Sequence, residues 1–212
     1  MRSSDERHRG LRIVGGVHRG RRLAAPAGET VRPTSDRARE ALFDILSHGR
    51  LAAEGIPFAG AAVLDAFAGT GALGLEALSR GAAEVVFFER DPEALAILRR
   101  NVASLGESAR AEILPCDATR PLRASLRCAV AFLDPPYRSG LAAAALGAIV
   151  AAGWLAADAL AVIELGAHEE FAPPAGFALL DGRVYGAARL VFLRREATFA
   201  LRSDTSEYGD PP

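Results

Sequence analysis

The sequence predicts an α/β fold with a mostly parallel sheet, helices on both faces, an antiparallel last strand and a small N-terminal β-hairpin. From residue 61 onward, short apolar segments alternate with helical ones, which is typical of a parallel sheet wound on both faces. A glycine-rich turn joins the first of these strands to the next helix, at the place where such sheets bind ligands. The last two apolar segments have no helix between them and therefore predict an antiparallel pair.

Local signals assign the elements in order. Two short strands, at residues 12–17 and 21–25, flank a His18-Arg19-Gly20 turn and predict the hairpin. Thr34 or Ser35 can cap the first helix, which carries an apolar stripe at helical spacing: Ala38, Leu42, Ile45 and Leu46. Further strands are predicted at residues 62–66, 84–88, 111–115, 128–133, 159–165, 177–181 and 189–194, and further helices at residues 73–80, 92–105 and 141–152.

The 212-residue chain divides into three predicted regions. Residues 1–30 form a basic extension with the hairpin, residues 31–196 form the α/β domain, and residues 197–212 form a polar tail that we expect to be disordered. The net charge of −1 conceals an asymmetry, because the first 50 residues hold 11 arginines and 6 acidic residues. This basic region predicts contact with a phosphate-bearing partner, and a solvated basic surface is the alternative.

Composition disfavours several classes of protein. Cys116 and Cys128 give no disulfide framework, and the 4 histidines lack zinc-ligand spacing, so we expect no metal. Residues 141–157 carry no charge, but their alanines and glycines favour a buried helix over a membrane span. The charged N-terminus has no apolar core of the kind found in a signal peptide, so the expected location is the cytoplasm.

The first strand of the α/β domain ends in a loop that predicts a nucleotide cofactor. The loop contains a Gly-x-Gly-x-x-Gly pattern from Gly69 to Gly74, so a nicotinamide-binding domain has to be considered. Glu89 and Asp117 follow the next two strands and can accept from ribose hydroxyls and an adenine amine. Asp65 would repel a pyrophosphate but suits an amino-acid ammonium, which favours S-adenosylmethionine. The candidate cofactor-binding residues are Asp65, Phe67, Gly69, Gly71, Glu89, Arg90, Asp117 and Ala118.

The fourth of these strands ends in the candidate catalytic residues, Asp134-Pro135-Pro136-Tyr137. The two prolines fix the backbone and remove two amide donors, so nearby carbonyls can face a pocket. An exocyclic base amine is a poor nucleophile because its lone pair is delocalised, and it needs two acceptors for its hydrogens. The Asp134 carboxylate and the Pro135 carbonyl can be these acceptors, and Tyr137 can stack on the base. A rigid proline turn is the alternative interpretation.

Three segments carry a resemblance to a known family. Residues 12–23, 32–43 and 65–80 look like the motifs of RsmD-type 16S rRNA guanine-N2 methyltransferases, and the resemblance extends over residues 11–195. It implies a Rossmann-like class I methyltransferase fold and methyl transfer from S-adenosylmethionine to a guanine N2 amine of small-subunit ribosomal RNA. Arg32, Thr34, Asp36 and Arg37 would border the site. The resemblance also implies that the hairpin grips RNA, and the candidate RNA-binding residues are Arg12, Arg19, Arg21 and Arg22 of the hairpin together with Arg32 and Arg37.

Other functions share parts of this pattern. The same loops would serve an adenine-N6 DNA or RNA methyltransferase, and proteins with Asn-Pro-Pro-Tyr can methylate glutamine in other proteins. Asp134 favours nucleic acid, and no separate target-recognition domain is visible. A non-enzymatic RNA-binding or ribosome assembly factor could lose the acidic residues freely, and Asp65 and Asp134 disfavour a nicotinamide oxidoreductase. We expect a monomer that binds 16S rRNA or the small ribosomal subunit, without contact with a membrane.

Overall fold

The computed structural model describes residues 11–26, 33–48, 59–136 and 139–196. The predicted polar tail lies outside these ranges. The described chain forms four helices and seven strands: α1 (Pro33–His48), β1 (Ala62–Asp65), α2 (Ala72–Ser79), β2 (Glu84–Glu89), α3 (Pro92–Leu105), β3 (Ala111–Pro115), β4 (Cys128–Leu133), α4 (Leu141–Ala151), β5 (Leu155–Gly166), β6 (Phe177–Tyr185) and β7 (Ala188–Arg195).

The strands of the described chain join one sheet in the order β3-β2-β1-β4-β5-β7-β6. Strands β1 to β5 pair in parallel, and β7 lies antiparallel between β5 and β6. β1 and β4 are neighbours although two strands separate them in the sequence, so the winding reverses between them. Such a switch point is where open α/β sheets bind their ligands. The predicted fold class, with its antiparallel last strand, is confirmed.

Alternate residues of the central strands supply two separate core layers. In β4, Val130 and Phe132 belong to one layer, while Ala131 and Leu133 belong to the other. The first core layer includes side chains of α1, α2, α3 and the hairpin, and the second includes those of α4 and Trp154. Because successive side chains of a strand point to opposite faces, a strand that is covered on both faces reads as a continuous apolar run.

The hairpin is less regular than predicted. Arg12 and Arg22 form an isolated antiparallel bridge, and the amide of Ile13 donates to the carbonyl of Arg21 at 3.0 Å. The predicted strands at residues 12–17 and 21–25 are therefore wrong in extent. Gly16 has a left-handed φ of 73° and packs directly against Ser79 of α2. This docking bends the chain away from an extended course.

The hairpin is packed onto the α/β fold and is part of its core. Ile13 is fully buried in the first core layer. The amide of Val14 donates to the Glu76 carboxylate of α2 at 2.8 Å, and the amide of Ala24 donates to Asn101 of α3 at 2.7 Å. The hairpin thus contributes to stability as well as presenting arginines to solvent.

Helix α3 has its predicted caps at both ends, whereas α1 begins before its predicted cap. Asp91 caps α3 by accepting from the amide of Ala94 at 2.8 Å, and Gly106 ends the helix with a φ of 75°, as predicted. The predicted cap at Thr34 or Ser35 is wrong, because α1 already begins at Pro33. A proline fits the first helical turn, where its missing N–H would have no partner within the helix.

Strand β5 is longer than predicted because of an irregular backbone at its start, and helix α4 ends one residue earlier than predicted. β5 begins four residues early, at Leu155, and its register against β4 shifts near Cys128. Asp158 has a φ of 61° there, which interrupts the regular strand. α4 lies in the second core layer through Ala145 and Leu146, as expected of a buried crossover helix. Within the described ranges, no helix combines the length and apolar character that a membrane crossing needs.

Gly74 sets how closely α2 can approach the sheet. A Cβ at this position would lie 2.2 Å from Phe87 Cε1 and 2.9 Å from Val85 Cγ1. We expect Gly74→Ala to lower the free energy of unfolding by about 1–3 kcal/mol, the usual cost of overpacking. Gly147→Ala is the control, because its Cβ would meet no atom within 4 Å inside α4. The control should gain about 0.5–1 kcal/mol in urea unfolding. Equal stabilities would contradict this view of the α2–sheet contact.

Candidate active site

A cavity of about 1130 Å³ opens at the carboxyl ends of the parallel strands, at the switch point of the sheet. We call it the strand-end cavity. The loop from β1 to α2 forms one wall, and the ends of β2, β3, β4 and β5 provide others. Leu11 of the hairpin and Arg39 of α1 also border it. The cavity is large enough for a nucleoside-sized ligand together with part of a second one.

Three acidic residues within the strands point to the same face of the sheet. Asp65, Glu89 and Glu164 each lie two residues after a member of the first core layer, and residues two apart in a strand share a face. Glu89 and Glu164 line the strand-end cavity. Asp65 is buried and does not line it, so the structure places this predicted cofactor residue behind the cavity wall.

Asp65 holds the glycine loop in shape. One carboxylate oxygen accepts from the amide of Gly74 at 2.9 Å, which ties the end of β1 to the first turn of α2. Burial raises the pKa of Asp65 to about 7; the Gly74 hydrogen bond opposes this shift and the charge of Glu89 adds to it. The other carboxylate oxygen, Oδ1, is buried and finds no hydrogen-bond partner in the described part of the chain.

Gly71 and Gly69 of this loop have different roles, one in packing and one in the cavity lining. Gly71 lies outside the cavity lining and caps α2 with a φ of 89°, and a Cβ there would lie 2.4 Å from Leu98 Cδ1. Gly69 lines the cavity with a φ of 53°, and no atom lies within 4 Å of the place of a Cβ. A ligand can therefore approach the backbone of Gly69 closely, as Phe67 and Ala68 line the cavity beside it.

Glu89 is held by backbone donors at the end of β2. Its two carboxylate oxygens accept from the amides of Gly69, Arg90 and Asp91, each at 2.7 Å. A carboxylate has about four lone-pair sites, so it can still accept from a ligand hydroxyl. This arrangement fixes the orientation of the carboxylate, and it links the glycine loop to β2.

Asp117 follows β3, the strand next to β2, and also lines the cavity. It accepts from the amide and the hydroxyl of Thr119, at 2.8 Å and 2.7 Å, and from Arg90 at 2.9 Å. The Thr119 hydrogen bonds, followed by Arg90, hold the pKa of Asp117 below its usual value. The carboxylate therefore stays ionised and remains an acceptor. Ala118, the next predicted residue, is buried and lines the cavity.

The loop after β4 brings its predicted residues to the cavity as far as the described chain extends. Asp134, Pro135 and Pro136 all line it, and Tyr137 lies outside the described residues. Asp134 is accessible from the cavity. The protein packed around its carboxyl nevertheless raises the pKa of Asp134 well above its usual value, and the charges of Glu164 and Asp65 act in the same direction.

Sequence reasoning missed four charged residues of the described cavity lining, which are Arg39, Asp91, Glu93 and Glu164. Glu164 lies near the end of β5, where the rule that strand ends carry the site would have found it. Arg39 lies in α1, buried, and its guanidinium donates to the carbonyl of Arg12 at 2.7 Å. The sequence does not predict Arg39 as a site residue, because only the tertiary packing of α1 brings this side chain to the strand ends.

The predicted RNA-binding arginines lie in part outside the described residues. Arg12, Arg19, Arg21 and Arg22 are exposed on the hairpin, and Arg21 donates to the carbonyl of Ser104 at 2.7 Å. Arg32 is not among the described residues, and neither are the side chains of Thr34, Asp36 and Arg37. Where the chain is described, no three metal-ligating side chains come together.

Known proteins that resemble this chain include relatives from several bacteria that carry the same name. The family model described as "Conserved hypothetical protein 95" matches residues 11–194. The ribosomal RNA small subunit methyltransferase D of Escherichia coli is 36% identical over 189 residues, which are 88% of this chain and 91% of that protein. The corresponding protein of Haemophilus influenzae is 34% identical over 180 residues, 83% of this chain and 89% of that one.

Solved structures share the fold. The Escherichia coli protein yhhF superposes with a TM-score of 0.75 at 36% identity, over 88% of this chain and 98% of that one. Together, the fold and the strand-end cavity define a class I methyltransferase that depends on S-adenosylmethionine. The chain belongs to the Conserved hypothetical protein 95 family, the family of the ribosomal RNA small subunit methyltransferases D.

The residues of the cavity fit this cofactor. Glu89 can still accept hydrogen bonds from a ribose diol. Asp117 follows the neighbouring strand β3 and is an ionised acceptor for a second group of the cofactor. Gly69 leaves room for close approach, and the unpartnered Asp65 Oδ1 is a buried acceptor behind the glycine loop. When bound, S-adenosylmethionine supplies an electrophilic methyl group on a sulfonium.

Substitution of Glu89 tests whether this part of the cavity binds the cofactor. Removal of a charged acceptor costs about 1.5–3 kcal/mol, so Glu89→Ala should weaken S-adenosylmethionine binding about ten- to hundredfold in calorimetry. Glu84→Ala is the matched control, because Glu84 begins the same strand and is exposed at its far end. If both variants bind the cofactor as tightly as the parent, Glu89 does not contact it.

Proposed function

We propose that the protein transfers a methyl group from S-adenosylmethionine to the exocyclic N2 amine of a guanine in 16S ribosomal RNA. The observation that carries the proposal is the placement of Asp134 and Pro135 in the wall of the cavity that also contains the cofactor residues Gly69 and Glu89. The related Escherichia coli protein is named a ribosomal RNA small subunit methyltransferase. The substrate also places the reaction in the cytoplasm, and the enzyme is proposed to act as a monomer.

The base amine is activated by two acceptors. The Asp134 carboxylate accepts one amine hydrogen and the Pro135 carbonyl accepts the other, which turns the nitrogen lone pair toward the methyl group. The N–C bond forms as the S–C bond breaks, and its electron pair remains on sulfur. Asp134 then takes the surplus proton from the nitrogen. Its raised pKa makes the ionised Asp134 a stronger base than an ordinary aspartate.

The cofactor assignment divides the predicted residues into two groups. Those that line the cavity are proposed to contact the cofactor, and these are Phe67, Gly69, Glu89, Arg90, Asp117 and Ala118. Asp65 and Gly71 are proposed to act through the shape and charge of the loop, since they lie behind the lining. Stacking of Tyr137 on the target base remains a prediction from the sequence.

An RNA target must deliver its base into the cavity. A base within a duplex cannot reach Asp134 and has to leave its stack first. The arginines of the hairpin are proposed to hold the phosphate backbone during this step. The hairpin is a suitable platform because Leu11 borders the strand-end cavity and Arg12 shares a hydrogen bond with Arg39 of the cavity wall.

The proposal is tested by product identification. The parent protein is incubated with S-adenosylmethionine labelled in its methyl group and with unmodified 16S rRNA or small subunits, and the RNA is then digested to nucleosides. We expect the label in N2-methylguanosine. Label in N6-methyladenosine would support the competing adenine assignment, and no label in RNA would overturn the proposal.

Asp134→Ala should abolish most turnover while cofactor affinity stays near that of the parent. The side chain is proposed to act on the amine in the transition state and not on the cofactor. Single-turnover rates and calorimetry on the same preparation separate the two effects. Glu93→Ala, at an exposed position on the rim of the cavity, serves as the control for removal of an acid. Near-normal turnover of Asp134→Ala would indicate that the Asp134-Pro135-Pro136 segment is only a structural turn.

The hairpin arginines should make RNA binding dependent on salt. Each phosphate contact releases counterions and adds about 0.7–0.9 to the slope of log Kd against log salt concentration. Arg19→Gln with Arg22→Gln should therefore lower that slope by about 1.4–1.8. The control pair, Arg123→Gln with Arg127→Gln, removes equal charge from exposed positions before β4. If the two pairs behave alike, the hairpin is not the RNA grip.

A further inference from the structure

Asp134 and Glu164 are neighbours at the ends of two adjacent parallel strands. Leu133 of β4 pairs with Ile163 of β5, so the next residue of each strand is Asp134 and Glu164. Both line the strand-end cavity. Glu164 continues the face of the first core layer that also carries Asp65, and its partner on β7, Leu190, lines the cavity as well. Two carboxylates therefore stand side by side where the proposal places the target base.

The Watson–Crick edge of guanine has a pattern that matches two adjacent acceptors. Its N2 amine and its N1–H are neighbouring donors. Adenine and cytosine also carry an exocyclic amine, but the ring nitrogen beside it has a lone pair and no hydrogen. A carboxylate next to the amine acceptor therefore attracts guanine and repels the other two bases. A single acceptor for the amine cannot make this distinction.

We infer that Glu164 is a specificity-determining residue that accepts the N1–H of the target guanine while Asp134 and Pro135 accept the hydrogens of its amine. The inference rests on the proposed function and deepens it. A carboxylate can accept from several donors at once, so other contacts of Glu164 leave capacity for the base. The apolar side chain of Leu190 beside it limits access of water, which strengthens a charged hydrogen bond.

The charge of Glu164 also acts on Asp134. Burial raises the pKa of Asp134, and Glu164 and Asp65 raise it further. The other charged residues that line the cavity in the described chain are Arg39, Glu89, Arg90, Asp91, Glu93 and Asp117. Since the amine needs an ionised Asp134, activity should fall as the pH drops through this raised pKa. Removal of the Glu164 charge should move that fall to lower pH.

The test uses 2-aminopurine, which keeps the amine at C2 but has no hydrogen on N1 and no O6. The methylated nucleotide is first mapped with the parent enzyme, and 16S rRNA is then ligated from fragments that carry guanine or 2-aminopurine at that place. The parent should prefer guanine by about ten- to hundredfold in kcat/KM, the effect of a lost charged hydrogen bond. The absent O6 contributes equally in every variant, so a comparison of variants isolates N1.

Three variants give the comparison. Glu164→Gln can accept from guanine N1–H or donate to N1 of 2-aminopurine, so its preference should fall to about threefold or less. Its pH profile of kcat/KM should also shift to lower pH. Glu164→Asp keeps the charge and should keep the acidic limb of the profile, but its carboxylate is one methylene shorter, so it should not reach N1–H and its guanine preference should fall. Glu112→Gln is the control, because Glu112 is exposed on β3 and lies outside the cavity lining.

The outcomes separate this inference from the proposed function. If the parent forms no N2-methylguanosine from the guanine substrate, the proposed function fails before any variant is compared. If the parent methylates guanine and Glu164→Gln keeps both the base preference and the pH profile of Glu112→Gln, Glu164 does not read the base. Glu164→Gln could misfold and lose cofactor binding, and Glu164→Asp then provides the test. If Glu164→Asp keeps the guanine preference and the rate of the parent, the inference is also overturned.

Discussion

The repulsion between acidic side chains gathered at one edge of the sheet is the constraint that the rest of this structure has to satisfy. Parallel strands end side by side, so Glu89, Asp65, Asp134 and Glu164 follow one another across four neighbouring strands. Backbone amides donate to two of these carboxylates, Glu89 and Asp65. The donors in the glycine loop are Gly69 and Gly74. These hydrogen bonds do not involve a cofactor, so they fix the shape of the loop before a cofactor binds.

A buried acid of α2 connects the hairpin, which we propose to bind RNA, to the wall of the strand-end cavity. Glu76 of α2 is fully buried, and its carboxylate accepts from the Val14 amide at 2.8 Å and from Arg80 at 2.6 Å. Arg39 approaches the same carboxylate to 3.9 Å and also lines the strand-end cavity. One side chain thus positions the hairpin, α1 and α2 relative to each other. A buried carboxylate of this kind is costly unless it is fully satisfied, so these three elements have to dock together.

Most of the fold was predictable because strands buried on both faces read as apolar runs and helices end at recognisable caps such as Asp91 and Gly106. The misses have physical causes. Docking against Ser79 bent the hairpin, and Asp158 interrupted the apolar pattern at the start of β5. The site was predictable where it obeyed the strand-end rule, which holds for Glu89 and Asp134. Arg39 was not, because its role depends on the packing of a distant helix.

The uneven distribution of charge along the chain now has a structural reason. The cavity lining of the described chain holds six acidic side chains and two arginines, so it attracts a cationic cofactor and repels phosphates. An RNA substrate can therefore offer this cavity only a neutral base, while its backbone has to stay outside. We propose that the exposed arginines of the hairpin supply the attraction that the cavity cannot. On this proposal the basic hairpin holds the phosphates outside, while the acidic cavity admits only the base.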